Sequence, residues 1–169
     1  GEGESYPQLA EAFYRDPALA WRIEDANDGK AIRPGDEVVI PKRETNRIGM
    51  GFNGYQSIPI LSYHRFGAKR GRLSVSRTRF EEQMEYLKRN GYRVVTLQDA
   101  AAFLRGERSL PRKSVVLTID DGYQSAYRIA YPVLAKYGYP ATVFIYSDYI
   151  GRGGLTWAQM QEMEQSGLF

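Results

Sequence analysis

Apolar positions recur along this chain in two rhythms, short β-branched runs and stripes at helical spacing, and from residue 58 onward they alternate. Residues 58–63, 92–97, 114–119 and 141–146 predict strands. Between them, Ser76 predicts the cap of a helix carrying Phe80, Met84 and Leu87 on one face, closed by Asn90 and Gly91. Residues 98–105 predict a short helix with Ala101, Ala102 and Leu104. Residues 123–137 predict another, with Ile129, Val133 and Leu134 on its face and a kink at Pro132. Gly138 ends it, and residues 148–154 form a loop. Thr156 caps a last helix over 157–165, stopped by Gly167. Strand–helix alternation of this kind predicts an α/β fold with a parallel sheet.

The run Ser114 to Ile119 is the most apolar of the strands, and it ends in Asp120, Asp121 and Gly122. Carboxylates at the C-terminal mouth of a buried strand, before a helix, stand where α/β folds place their chemistry. One can bind a divalent metal while the other takes a proton from water. Gly122 permits a sharp exit and a close approach to the backbone. The same tripeptide is also an ordinary solvated Asp-Gly turn. His64, the one histidine, follows the 58–63 strand, which is expected to neighbour the Asp120 strand; it is a candidate to face the site, or a structural residue.

The N-terminal part has a different texture. Ser5 and Gln8 predict a capping box, with Leu9, Ala12 and Phe13 on the helical face behind it. Asp16-Pro17 starts a second helix with Leu19, Ala20 and Ile23 inside and Trp21 to the side, ended by Asn27-Asp28-Gly29. A turn over 32–36 leads into a strand over 37–40, closed by Pro41. Residues 44–57 are polar, with Gly49, Gly51 and Gly54, and predict a linker. No internal repeat or low-complexity tract occurs.

Composition narrows the class little further. The 169 residues are 43% hydrophobic and 25% charged, as in a globular protein of one or two domains. The net charge of +3 is too small for a nucleic-acid binder, and the basic clusters around Lys42, Lys69 and Arg77 are expected to be solvated faces. The 13 tyrosines suit either a core or a sugar site. Cysteine is absent, so disulfides and thiolate metal sites are excluded. No apolar run reaches the roughly 18 residues of a membrane span. The chain starts at Gly1 without Met, as is expected where a leader is removed or where the sequence begins part-way along a longer protein.

Two family resemblances attach to these stretches. Leu110-Pro111-Arg112-Lys113-Ser114, continued through 115–123, resembles the first motif of the polysaccharide deacetylases, the family 4 carbohydrate esterases. Ile58-Pro59-Ile60-Leu61-Ser62-Tyr63-His64-Arg65-Phe66 resembles the family's first barrel strand. Tyr131-Pro132-Val133-Leu134, Gly138 and Ala141-Thr142-Val143-Phe144-Ile145 resemble its next helix and strand. The resemblance implies a partial (β/α) barrel over 58–169. It implies that Asp120 is the general base, that Asp121 is one ligand of a divalent metal such as zinc, and that His64, Gly122 and Tyr123 neighbour the active site. Family members continue into a pair of histidines that complete the metal site. None follows here, so the 58–169 segment is expected to be truncated before that pair, to bind metal weakly and to be inactive alone. The implied reaction removes acetyl groups from N-acetylglucosamine-containing polysaccharide: peptidoglycan, a chitin-like chain or an exopolysaccharide. O-acetyl ester cleavage, or a non-catalytic carbohydrate-binding protein with a degenerate barrel, are the alternatives. Such substrates imply an extracytoplasmic location at the cell envelope.

Residues 1–43 resemble a lysin motif (LysM), a small βααβ module that binds N-acetylglucosamine polymers. Ile32-Arg33-Pro34-Gly35 with Val38-Val39-Ile40-Pro41 carries the likeness, and Asn27 fits it. The first strand is not accommodated before Gly3. A small helical cap on the barrel is the alternative.

Overall fold

The computed structural model describes residues 4–43, 49–51, 54–67 and 71–169. In the N-terminal unit, Ser5 caps α1 (Tyr6–Tyr14), with the Gln8 side chain accepting from the Ser5 N–H at 2.7 Å. A 3₁₀ turn, Pro17–Leu19, is capped by Asp16, whose carboxylate accepts from the Ala18 N–H at 2.9 Å. It leads into α2 (Ala20–Ala26). Leu9, Ala10 and Ile23 form the small core, with Tyr6, Tyr14, Ala20, Ile32, Val38 and Ile40 against it. Leu9 is inside as expected, but Ala10 joins it there, whereas the expected Ala12 and Phe13 are exposed.

The expected strand over 37–40 is extended, with Val38 and Ile40 half-buried and Val39 outward, but it pairs with no strand among the described residues. Its partner is a side chain. Asn27 donates to the Val39 carbonyl at 2.8 Å and accepts from the Val39 N–H at 2.9 Å, as a neighbouring strand residue would. A third bond, from Asn27 to the Ile23 carbonyl at 2.7 Å, ties this to the end of α2.

Inside the expected linker lies a two-stranded antiparallel ribbon, β1 (Met50–Gly51) with β2 (Gly54–Tyr55). Gln56 anchors it to the main domain by donating to the Pro111 carbonyl at 2.5 Å. Residues 44–48 of that stretch lie outside the described residues.

The main domain is a parallel four-stranded sheet: β3 (Ile60–Tyr63), β6 (Arg93–Val95), β7 (Ser114–Ile119) and β8 (Thr142–Val143). The central strand is β7, all six residues buried, and β3 pairs with it from Val116 to Ile119. On its other edge β6 pairs with Ser114 to Val116, and β8 with Thr118 and Ile119. Two strands thus share one edge, end to end. β3 starts after Pro59, which has no N–H, although its carbonyl still accepts from Val116 at 2.9 Å. A second parallel pair, β4 (Arg65–Phe66) with β5 (Ser74–Val75), flanks the basic loop and is not evident in the pattern, because two-residue strands leave no periodicity.

One face of the sheet carries Val115, Leu117 and Ile119. It packs on Phe80, Met84 and Leu87 of α3 (Arg77–Arg89) and on Val133 and Leu134 of α5 (Tyr131–Tyr137). A π-helical turn, Ala126–Ala130, precedes α5. The helical run is unbroken from 124 to 137, so Pro132 lies inside the expected helix, directly after the π-helical turn, which accommodates its missing N–H. In α4 (Leu97–Leu104) the buried side is Ala100 and Phe103, while Leu104 is 81% exposed, which reverses the expected face. Thr96 caps that helix, so it begins one residue earlier than the pattern suggests. Phe144, Ile145 and Tyr146 leave β8 for an exposed course, so the expected 141–146 strand is shortened to its first part. The last helix, α6 (Trp157–Gln165), has the Thr156 cap and Gly167 stop as expected.

The N-terminal unit docks on the main domain through charge. Arg93 pairs with Glu24, the Arg112 N–H donates to Asp25 at 3.0 Å, and the Arg112 guanidinium is 3.6 Å from Asp28.

Candidate active site

Alternation along β7 puts Val116 and Thr118 on the face opposite the helices, and Asp120 continues that row one residue past the strand. The Asp120 N–H extends the ladder to the Tyr63 carbonyl at 2.7 Å. On the adjacent strand Ser62 stands opposite Thr118, and one step past Tyr63, His64 reaches the level of Asp120. Register therefore gathers Ser62, His64 and Asp120 at the C-terminal mouth of two parallel strands. The Ser62 hydroxyl donates to Asp120 Oδ2 at 2.7 Å, and His64 Nε2 is 3.7 Å from the same oxygen. The carboxylate is about a third exposed and the imidazole a quarter, enough for a substrate to reach both.

Past Asp120 the chain turns abruptly. Asp121 has φ 69° and Gly122 φ 62°, two successive left-handed residues. Aspartate tolerates that region better than most residues, and glycine adopts it without strain. Gly122 is also closely approached: a Cβ there would lie 2.8 Å from Ile145 Cδ1. The neighbour pressed against Gly122 is thus the chain after β8. The Gly122 carbonyl accepts from the Leu155 N–H at 2.8 Å, closing the loop over this turn.

Tyr123 forms one wall. Its hydroxyl accepts from Arg65 at 2.7 Å, and the same guanidinium lies 4.1 Å from its ring centre. That hydrogen bond holds the Arg65 guanidinium above its ordinary value, with Asp121 adding to the effect. Tyr149 stands 5.9 Å from the Tyr123 ring and Tyr146 4.8 Å from Tyr149, an aromatic run beside the carboxylates.

All five residues singled out in the sequence (His64, Asp120, Asp121, Gly122 and Tyr123) lie at this mouth. Ser62, Arg65 and Tyr149 were not singled out. Ser62 carried a signal, two residues before His64 on the same strand face. Arg65 and Tyr149 carried none, since their contacts cross between separate loops.

A divalent metal needs about three protein donors. Asp120, Asp121 and His64 have suitable chemistry, but among the described residues no three His, Cys, Asp or Glu side chains gather closely enough to hold an ion. The donors present here do not make a complete metal centre.

The chain is similar in sequence to proteins that are deacetylases by name. The chain is 41% identical over 112 residues to YxkH of Bacillus subtilis (strain 168), named as a polysaccharide deacetylase, covering 66% of this chain and 40% of YxkH. It is 37% identical over 89 residues to the poly-β-1,6-N-acetyl-D-glucosamine N-deacetylase of Escherichia coli (strain K12), covering 53% of this chain and 13% of that protein. The solved structure of IcaB from Ammonifex degensii superposes with a TM-score of 0.63 at 39% identity, over 67% of this chain and 50% of that one. The chain therefore spans less than half the length of these two curated relatives. The stretch that contains β7, Asp120, Asp121 and everything after them, residues 107–169, matches the polysaccharide deacetylase family.

Proposed function

We propose that this chain carries the catalytic base and part of the metal site of a polysaccharide deacetylase that removes acetyl groups from an N-acetylglucosamine-containing polymer. The observation that supports it best is Asp120, held on one oxygen by Ser62 and faced by His64 at the mouth of a buried strand. Ser62 and His64 both address Oδ2, so proton abstraction falls to Oδ1. Asp120 takes a proton from water as the water oxygen bonds to the acetamide carbonyl carbon, giving a tetrahedral intermediate. Its C–N bond then breaks, the nitrogen gains a proton, and acetate and a free amine are released. Water, substrate and proton balance without any oxidant or second substrate.

Asp121 would be one ligand of a divalent metal, of which zinc suits the donor types, and a bound metal would supply polarisation of the carbonyl. Tyr123, fixed by Arg65, and Tyr149 give a sugar ring flat apolar surfaces beside the base. The N-terminal unit, with its Asn27 latch and 32–36 turn, is a LysM-like anchor to the same polymer. The name of the E. coli relative, an N-deacetylase of poly-β-1,6-N-acetyl-D-glucosamine, favours an exopolysaccharide, hence an extracytoplasmic enzyme. Among the described residues no helix is long and apolar enough to cross a membrane.

Acetate release from N-acetylglucosamine oligomers tests this. Asp120→Asn should abolish the release shown by a deacetylating form of the protein, by about 10²–10⁴-fold. Unchanged release would remove Asp120 from its role. The 169-residue chain alone should bind Zn²⁺ weakly by calorimetry and release no acetate; robust turnover would show that its own donors suffice. Retention on insoluble chitin or peptidoglycan tests the anchor, and failure on both would sink it.

A further inference from the structure

A second groove runs along the opposite rim of the sheet. Tyr92, Pro111 and Pro140 stand one, three and two residues before β6, β7 and β8, and all three line one cavity of about 480 Å³. β7 spans six residues, at about 3.3 Å each, so this rim is on the order of 20 Å from Asp120. The groove is shared between the two units of the chain, because Trp21 of α2 forms part of its wall. Trp21, with Ser109 and Leu110, also lines a smaller adjoining cavity of about 250 Å³.

The lining has an unusual chemistry for a docking seam. Four aromatic residues line it, Trp21, Tyr92, Tyr137 and Tyr139, each half-buried, and the three tyrosines also pack on the main core. Tyr137 and Tyr139 are stacked, with centroids 5.5 Å apart and planes at 25°. Charges of both signs stand beside them: Arg108, paired with Asp99, and Arg93, paired with Glu24. Ser109 is 6% exposed, and its hydroxyl is buried with no hydrogen-bond partner among the described residues. A buried hydroxyl left unpaired carries a free-energy cost that a ligand hydroxyl or amide would remove.

We infer that this rim binds one stretch of a saccharide chain, at a site separate from the catalytic mouth. Flat aromatic faces take the C–H faces of sugar rings, and paired guanidinium and carboxylate groups offer donors and acceptors together to hydroxyls. The charges at the groove are already paired, Arg108 with Asp99 and Arg93 with Glu24, so none is left over for a polyanion, and a purely apolar segment would leave the Ser109 hydroxyl unsatisfied. The N-acetylglucosamine polymer proposed above is the natural candidate, and only this choice of polymer rests on that proposal. A site on the rim away from Asp120 would hold the polymer while the mouth works along it.

The chain has two tryptophans, and the other, Trp157, is 71% exposed on α6. In Trp157→Phe, emission therefore reports Trp21 alone. Titration with tetrameric N-acetylglucosamine, β-1,4- and β-1,6-linked in turn, should give a saturable change with at least one of them. Arg108→Ala and Tyr139→Ala should weaken it about tenfold. Ser109→Ala should weaken it several-fold without lowering the unfolding midpoint, which keeps the test decisive if Tyr139→Ala does not fold. Asp120→Asn should leave the titration unchanged. No saturable change with either oligomer, or a change that survives Arg108→Ala and Ser109→Ala, would overturn the site. Loss of the signal in Asp120→Asn would move the binding to the catalytic mouth and leave the deacetylase reading intact. Uptake of an apolar anilinonaphthalene dye that neither oligomer displaces would mark the groove as a protein-docking surface and overturn the inference.

Discussion

Ser62 donates to Asp120 Oδ2 at 2.7 Å from the neighbouring strand, and the parallel register of β3 on β7 makes the contact possible. Ser62 pairs in register with Thr118, so its side chain leans toward the next residue on that face, which is Asp120. The bond fixes the carboxylate's orientation and leaves one oxygen free for the proton. In a deacetylating form of the protein, Ser62→Ala should lower kcat by about tenfold, as loss of one charge-assisted bond predicts. KM should barely change, and Ser62→Thr, which keeps the hydroxyl, should restore most of kcat. A kcat in Ser62→Ala equal to that of the parent would mean that Asp120 is held by the backbone alone.

Gly122 and Gly138 separate two kinds of glycine requirement. Both are left-handed, at φ 62° and 65°, and alanine at either should cost about 1–2 kcal/mol in backbone strain. Around Gly138 there is open space, whereas a Cβ at Gly122 meets Ile145 Cδ1 at 2.8 Å. Gly122→Ala should therefore lower urea-derived stability by about 1 kcal/mol more than Gly138→Ala. Ile145→Val deletes the offending atom, so in the Gly122→Ala background it should recover that difference. Simple additivity of the two substitutions would refute the clash.

Asn27 is the joint of the N-terminal unit, bonding Ile23 and both backbone groups of Val39. Asn27→Ala should destabilise this unit by about 1–2 kcal/mol, less than three full hydrogen bonds because Val39 is exposed to compensating water. Asn27→Asp keeps the acceptor for the Val39 N–H but turns a carboxylate oxygen toward two carbonyls, so it should be no better than alanine. Amide exchange at Val39, measured in the whole chain, reads the effect directly. Protection unchanged in both variants would assign the order of the 37–40 segment to Ile32, Val38 and Ile40 packing instead.

The parts of this molecule that could be read from residues alone are those governed by local pattern. Phe80, Met84 and Leu87 at helical spacing do face the core, and Ser114 to Ile119 is buried throughout, because a central parallel strand has no polar face to show. The buried faces of α1 and α4 depart from the pattern for a shared reason. Ala12, Phe13, Ala101 and Leu104 are apolar enough to fit a stripe, and in helices this short a shift of one or two residues changes which side is inside. The short β4–β5 pair and the side-chain latch of Asn27 depend on partners distant in sequence or lacking any period. At the site, Asp120 and His64 were visible because each ends a strand. Arg65 against Tyr123 was not, since a loop position says nothing about which other loop it meets.

Tyr63 gives the protein an alkaline limit. Its ring lies 5.0 Å from Phe80 and 5.8 Å from Phe66, and its hydroxyl donates to Gln83 at 2.9 Å. Burial pushes its phenol up to about 12, against an ordinary value near 10. Between those values the folded chain keeps a proton that the unfolded chain releases, so the folded state binds more protons and stability must fall as pH rises. The Tyr63 contribution is complete below about pH 10 and is lost progressively up to about pH 12. Burial also raises Tyr6, Tyr14 and Tyr139, which act in the same direction, so Tyr63→Phe should remove part of the slope and not all of it. Urea midpoints taken at intervals from pH 9 to 11.5 should fall less steeply for Tyr63→Phe than for the parent. Parallel curves would show that the phenol is solvated in the folded state and that the Phe66–Phe80 face does not enclose it.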